Sequence, residues 1–185
     1  NADHGKFLRT EGNEHVMADV DGPGCVVRIW SANPAGTLKI YIDGAATPAV
    51  AAPTKNIVTQ SWQNADRVPV AAGEQESWVF PEPIGTAGVS SAFCGRRAAG
   101  WNLYFPIPFQ KHVKVTVSGA EKPERLYYHV NIQSFPAGTK LPSWSMDLVK
   151  QNAPLVKEIF AALSSPAEGV SLAAGETQAL TLLPQ

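Results

Sequence analysis

The stretch Gly22-Pro23-Gly24-Cys25-Val26-Val27-Arg28-Ile29-Trp30-Ser31-Ala32-Asn33-Pro34-Ala35-Gly36-Thr37-Leu38-Lys39-Ile40-Tyr41-Ile42-Asp43-Gly44 decides the fold class. Cys25 to Trp30 is dense in β-branched and aromatic residues, Ser31 to Gly36 is a cluster of turn formers, and Leu38 to Ile42 resumes the run. Two strands and a connection follow, as a hairpin or as a short crossing between sheets. In the second run Leu38, Ile40 and Ile42 share one parity, and Lys39, Tyr41 and Asp43 take the other. That is the pattern of a sheet with one dry and one wet face. In the first run strict alternation puts Val26, Arg28 and Trp30 on one side and Cys25, Val27 and Ile29 on the other. Arg28 beside an indole is a candidate for a surface or an interface.

Composition widens that reading to the whole chain. The 185 residues suffice for one domain that buries roughly two thirds of its unfolded surface, so neither a metal nor a disulfide is needed for stability. Fifteen Gly and 15 Pro favour short strands joined by many turns over long helices. A formal charge of -1 gives no electrostatic reason to expect nucleic acid or an anionic membrane as partner. No apolar run is long enough for a membrane span, and Asn1-Ala2-Asp3-His4 has no signal-peptide pattern. The absence of an initial Met points to a removed leader or to a piece of a longer protein. The compartment stays open, with a secreted or periplasmic setting favoured. Cys25 and Cys94 are expected as buried thiols rather than a bridge.

Asn1 to Asn13 reads as a polar arm docking through Phe7 and Leu8, and Glu14 to Val20 as a first strand with Val16, Ala18 and Val20 inward. Asp21-Gly22-Pro23-Gly24 is a turn. Ala45 to Ala52 is an irregular edge segment, Ile57 to Trp62 a short strand or helical turn, Asn64 to Glu76 a loop, and Trp78 to Phe80 a brief strand. Gly95-Arg96-Arg97-Ala98-Ala99-Gly100 is a basic, flexible loop before a strand at Trp101 to Phe105. The prolines of Phe105-Pro106-Ile107-Pro108-Phe109 impose an edge or a bend. His112 to Val117 and Arg125 to Ile132 both alternate cleanly and are expected to pair with each other. Ser143 or Ser145 caps a helix carrying Met146, Val149, Val156, Ile159, Phe160 and Leu163, broken at Pro154 into two short helices. Thr177 to Leu183 reads as a last strand, whose position against the terminus suggests a polypeptide that continues. The fold class is therefore all-β: a two-sheet antiparallel jelly-roll sandwich with a short helical insertion near the C-terminus, one domain over 1–185 with an arm at 1–13 and a helical segment at 143–164.

Chemistry-bearing patterns are sparse. Asp19-Val20-Asp21-Gly22 resembles the opening of a calcium loop but lacks the later oxygen ligands; Asp43 and its neighbours read as turn caps, and Glu74 with Glu76 as a solvated loop. His112 and His129 would approach each other on the paired strands, without a third zinc ligand. His4 and His15 lie near the terminus. No nucleophile elbow and no phosphate cradle occurs. No metal and no cofactor is expected. Among five tryptophans, Trp30 with Arg28 and Arg97 is the preferred carbohydrate or interface patch, and Trp101 is the further indole candidate, because a guanidinium stacks on indole and donates to sugar hydroxyls or to a partner's carboxylate.

The chain resembles the N-terminal half of the proteins of glycoside hydrolase family 172. Four motifs carry the likeness over roughly residues 5–132: Asp21-Gly22-Pro23-Gly24 followed by Arg28-Ile29-Trp30, Lys39-Ile40-Tyr41-Ile42-Asp43-Gly44, Phe105-Pro106-Ile107-Pro108-Phe109, and Tyr127-Tyr128-His129-Val130-Asn131. The resemblance implies tandem jelly rolls, capsid-like homo-oligomers with a second jelly-roll domain as partner, and a retaining two-carboxylate reaction on fructo- or arabinofuranosides. It also implies catalytic glutamates in Gly-Glu-Gly-Glu and Thr-Glu-Asp-Tyr-Phe segments of the second jelly roll. Neither string occurs here, so no catalytic residue is assigned and the chain alone is expected to be inactive. The leading expectation is a non-catalytic domain that scaffolds and multimerises such a glycosidase. A glycan-binding module and a capsid-like assembly domain are the alternatives.

Overall fold

The computed structural model describes residues 6–59, 93–97 and 100–164. It is a two-sheet antiparallel jelly-roll sandwich. One sheet runs β1 (Arg9–Glu11), β2 (Glu14–Asp21), β9 (His112–Ser118), β4 (Thr37–Ile42), β5 (Val50–Pro53) across its width. The other runs β10 (Tyr128–Ser134), β3 (Gly24–Ser31), β7 (Gly100–Leu103), β6 (Cys94–Arg97), with β8 (Ile107–Phe109) also on β3. The chain passes from sheet to sheet at β2–β3, β3–β4, β5–β6, β8–β9 and β9–β10. The connection through Ala32–Gly36 is thus the inter-sheet crossing and not the hairpin.

Alternation places the core. Leu38, Ile40 and Ile42 are buried, as are Val113, Val115 and Val117, and they meet pairwise across β4 and β9: Leu38 with Val117, Ile40 with Val115, Ile42 with Val113. Burying each such side chain stabilises the fold by about 1.5–3 kcal/mol. Val26, Ile29, Leu103, Ile107 and Phe109 face them from the second sheet. Pro106 bends the chain so that β7 and β8 lie end to end along β3, opposite Ile29–Ser31 and Gly24–Val26.

Two single-residue bulges correct the simple parity. On β3, Asn131 opposes Arg28 while Ile132 opposes Val26, so Val27 is the extra residue. Val26 therefore turns inward and Val27 outward, leaving Arg28 and Trp30 together on the outer face. On β2, Val16 opposes Thr116 while Ala18 opposes Val115, so Met17 is the extra residue and Val16 does not share a face with Ala18. Both bulge residues are apolar, so the hydrophobic pattern carries no mark of them.

Other expectations change as well. β9 and β10 do not pair: β9 lies between β2 and β4, and β10 lies on β3 in the opposite sheet. Ser118 to Tyr127, with a 3-10 turn at Pro123–Arg125, carries the chain across, and His112 and His129 end up on different sheets. Arg96 and Arg97 belong to strand β6, hairpinned on β7, and not to a loop. The arm docks through Phe7, which stacks on His15 and Tyr128 at centroid distances of 4.7 and 5.5 Å; Leu8 is exposed. Thr54–Thr59 forms helix α1. Ser145 caps α2 (Met146–Gln151), its hydroxyl accepting from the Leu148 amide at 3.1 Å, and Pro154 stands in the first turn of α3 (Ala153–Ser164). Both cysteines are buried free thiols. The strands read at Trp78–Phe80 and Thr177–Leu183 and the loop at Asn64–Glu76 lie outside the described residues.

Candidate functional site

The bulge at Val27 sets the outer face of the second sheet. Arg28 donates from Nε to Asn102 Oδ1 at 2.9 Å and from Nη1 to Asn131 Oδ1 at 3.3 Å. These residues come from β3, β7 and β10, so a three-strand polar bridge holds the guanidinium in place. Asn102 is buried and donates in turn to the Gly100 carbonyl at 3.3 Å. A buried amide needs such partners on both sides.

Trp30 lies on the same face, one pair along, with His129 beside it at a centroid distance of 5.0 Å and 34° between planes. Its indole reaches over β7. A Cβ on Gly100 would stand 1.7 Å from Trp30 Nε1 and 2.5 Å from Cε2. Only glycine lets the ring settle there. The face thus offers a half-exposed indole, an imidazole, two carboxamides and an arginine with donors beyond the two it uses. Such a set suits a sugar ring or a partner's carboxylate.

The sequence candidates are distributed as follows. Arg28 and Trp30 are together. Trp101 opposes Ser31, not Trp30, and packs half-buried against the core, so it belongs to the inner face. The Arg97 backbone lies opposite Gly100, and its side chain is outside the description. Asn102, Asn131 and Gly100 were not singled out from sequence, and His129 was weighed only with His112 as a zinc ligand; the one available signal was a carboxamide in the middle of an apolar strand.

The outer face of the first sheet holds the acidic residues. Glu14 accepts from Lys39 Nζ at 2.8 Å, Tyr41 Oη at 2.9 Å and Thr116 Oγ1 at 2.6 Å. Asp19 accepts from Arg9 and from His112 Nε2, the latter at 2.6 Å. Glu11 accepts from Lys114 Nζ at 2.8 Å, and that ammonium sits 5.0 Å from the centre of the Tyr41 ring. Burial pushes the Glu14 and Asp19 carboxyls up, but the hydrogen bonds from Lys39, Thr116 and Tyr41 and from Arg9 and His112 outweigh it and hold both below the ordinary carboxylate range. Lys114 and Arg9 lower Glu11. Burial, then Glu14, raises the Tyr41 phenol to about 12.

Asp43 is the fourth. It sits at φ 55°, and its Oδ1 accepts from the backbone amides of Gln110, Lys111 and His112 at 3.1, 2.6 and 3.1 Å, while Oδ2 accepts from the Ser143 hydroxyl. Burial raises its pKa, but Ser143 and the three amides lower it further, leaving it ionised. It ties the β4 end, the β8–β9 turn and the segment before α2 into one knot. Asp19 is held by its pairs with Arg9 and His112.

The family model described as the GH172 first beta-sandwich domain matches residues 1–152. No curated protein matches the chain. With that match spanning β1 through α2, the chain belongs to the GH172 family, and residues 1–152 are its first β-sandwich domain.

Proposed function

We propose that this domain is the non-catalytic half of a furanoside-active glycosidase, scaffolding and multimerising a longer protein whose second jelly roll carries the bond-breaking carboxylates. The family supplies the reaction class. Among the described residues, what supports the non-catalytic assignment is the state of four paired acids. A retaining glycosidase needs one carboxyl held protonated as general acid, its pKa raised. Glu11, Glu14, Asp19 and Asp43 are each bound to cations, hydroxyls or amides and pushed the other way. They serve as clasps between strands. The test is incubation of the pure chain with aryl arabinofuranoside and aryl fructofuranoside, with light scattering on the same sample. No turnover and a defined multimer are expected; measurable turnover by the pure chain contradicts the assignment.

A second reading, glycan binding, is favoured by the Arg28–Trp30–His129 face, where an indole and fixed donors stand together. Trp30→Ala is expected to reduce sugar affinity or assembly. A glycan array on the chain, with and without that substitution, separates this from the scaffold reading, and a defined oligomer with no sugar response leaves the capsid-like structural role. Unchanged mass and unchanged sugar binding in the variant remove Trp30 from both.

A further inference from the structure

The four strands that end the two sheets among the described residues are protected unequally. β1 has three residues and carries Arg9 and Glu11; β5 has four and ends in Pro53; β6 has four and includes Arg96 and Arg97. Short length, charge and proline are the usual means by which an edge avoids pairing with another chain. β10, Tyr128-His129-Val130-Asn131-Ile132-Gln133-Ser134, has seven residues, no proline, no lysine, no arginine and no acid.

Among the described residues no strand pairs with its outer side. The Tyr127 carbonyl accepts from Ala32 at 3.3 Å and the Phe135 amide donates to Pro23 at 2.9 Å, both toward the β3 side. Backbone groups alternate along a strand, so the odd residues between them face β3, and Tyr128, Val130, Ile132 and Ser134 present N–H and C=O outward. Among the described residues no strand lies beyond them.

We infer that β10 is an assembly edge, at which a second copy of this chain adds its own β10 antiparallel about a two-fold axis through Asn131. The sequence of the strand fits itself in that register. Val130 faces the partner's Ile132 and Tyr128 the partner's Ser134 as hydrogen-bonded pairs, so all four outward residues of each copy gain backbone partners. His129 faces the partner's Gln133, and Asn131 faces its own copy in a close pair. No charge meets its like. Val130 and Ile132 point inward and are half-exposed, and Val130 with Tyr128, His129 and Asn131 lines a hollow of about 530 Å³ whose other wall is Met17 and the arm residues Lys6, Phe7 and Leu8. A partner's Val130 and Ile132 extend that apolar layer. Asn131 already receives Arg28 on Oδ1, leaving its Nδ2 donors for the facing amide.

This inference rests on the proposed multimerising role and names its surface, and the test separates the two. The full chain is run by sedimentation velocity as wild type, Ile132→Pro and Ile132→Val. Proline removes an outward N–H without touching a bond to β3. Wild type and Ile132→Val are expected at a multiple of 19.8 kDa, and Ile132→Pro is expected to associate at least roughly tenfold more weakly for two lost hydrogen bonds per dimer. In parallel, Asn131→Cys is expected to form a covalent dimer on mild oxidation, because the close pair sets the Cα atoms about 4.5 Å apart, within disulfide reach. Gln133→Cys, placed in a Cys25→Ser background because Cys25 lies directly opposite on β3, is expected not to, since its copies stand about 13 Å apart in this register. A multimer that is unchanged in Ile132→Pro and does not cross-link at 131 overturns the β10 surface and leaves multimerisation standing. A monomer at every concentration overturns both. If circular dichroism shows Ile132→Pro unfolded, the cysteines decide alone: bridging at 131 and not at 133 supports the edge, and any other result overturns it.

Discussion

Asp43 is the side chain on which the largest single effect is expected. Replacing it with Ala strips the acceptor from three backbone amides and the Ser143 hydroxyl. The Lys111 amide is exposed and turns to water. The Gln110 and His112 amides and the Ser143 hydroxyl are partly buried, and at about 1 kcal/mol for each group left unpaired the loss is about 3 kcal/mol. The φ of 55° adds about 1 kcal/mol, because a Cβ without a local polar group is strained in the left-handed region. Asp43→Ala is therefore expected to cost about 4 kcal/mol, Asp43→Gly about 1 kcal/mol less because the strain disappears, and Asp43→Asn, which keeps a neutral acceptor, about 1 kcal/mol. The assay is urea unfolding of all four proteins as a function of pH. The folded pKa is depressed, so the carboxylate's contribution is complete above the unfolded value of about 3.9 and is lost as pH falls through the folded one. The gap between wild type and Asp43→Asn must therefore close in acid and stay open at neutrality. A gap that is absent at neutral pH, or that persists unchanged in acid, refutes the reasoning.

Two further substitutions probe the sheet faces. Glu14→Gln removes the charge that raises the Tyr41 phenol and holds Lys39; tyrosinate absorbance is expected to titrate below about 12 while remaining above 10 through burial, and an unmoved titration contradicts the clasp. Gly100→Ala places a methyl in the indole of Trp30; it is expected to lower stability by about 1–3 kcal/mol and to red-shift tryptophan emission as the ring lifts into solvent, whereas unchanged melting and emission show that the ring does not depend on glycine there.

What the sequence determined by itself was whatever depends on neighbours along the chain. The alternation of Leu38, Ile40 and Ile42 and of Val113, Val115 and Val117 assigns strands with a dry face, and Ser145 with Pro154 locates the two helices, because side-chain direction and capping are local properties. Of the four family motifs, Lys39-Ile40-Tyr41-Ile42-Asp43-Gly44 lies in one of these segments. Tertiary structure alone decided which strands pair. β9 and β10 are both clean strands only nine residues apart, yet β9 buries its valines against β4 and β2 while β10 joins β3, since each sheet needs the other to cover its apolar side. It also decided the faces of β2 and β3, because a bulge adds one residue whose hydrophobicity matches its neighbours and shifts every partner after it. The amides that Asp43 holds lie 67–69 residues away along the chain, and the bridge from Arg28 to Asn102 and Asn131 spans 74 and 103. Such contacts are created by the packing of the sandwich, and no local pattern of residues contains them.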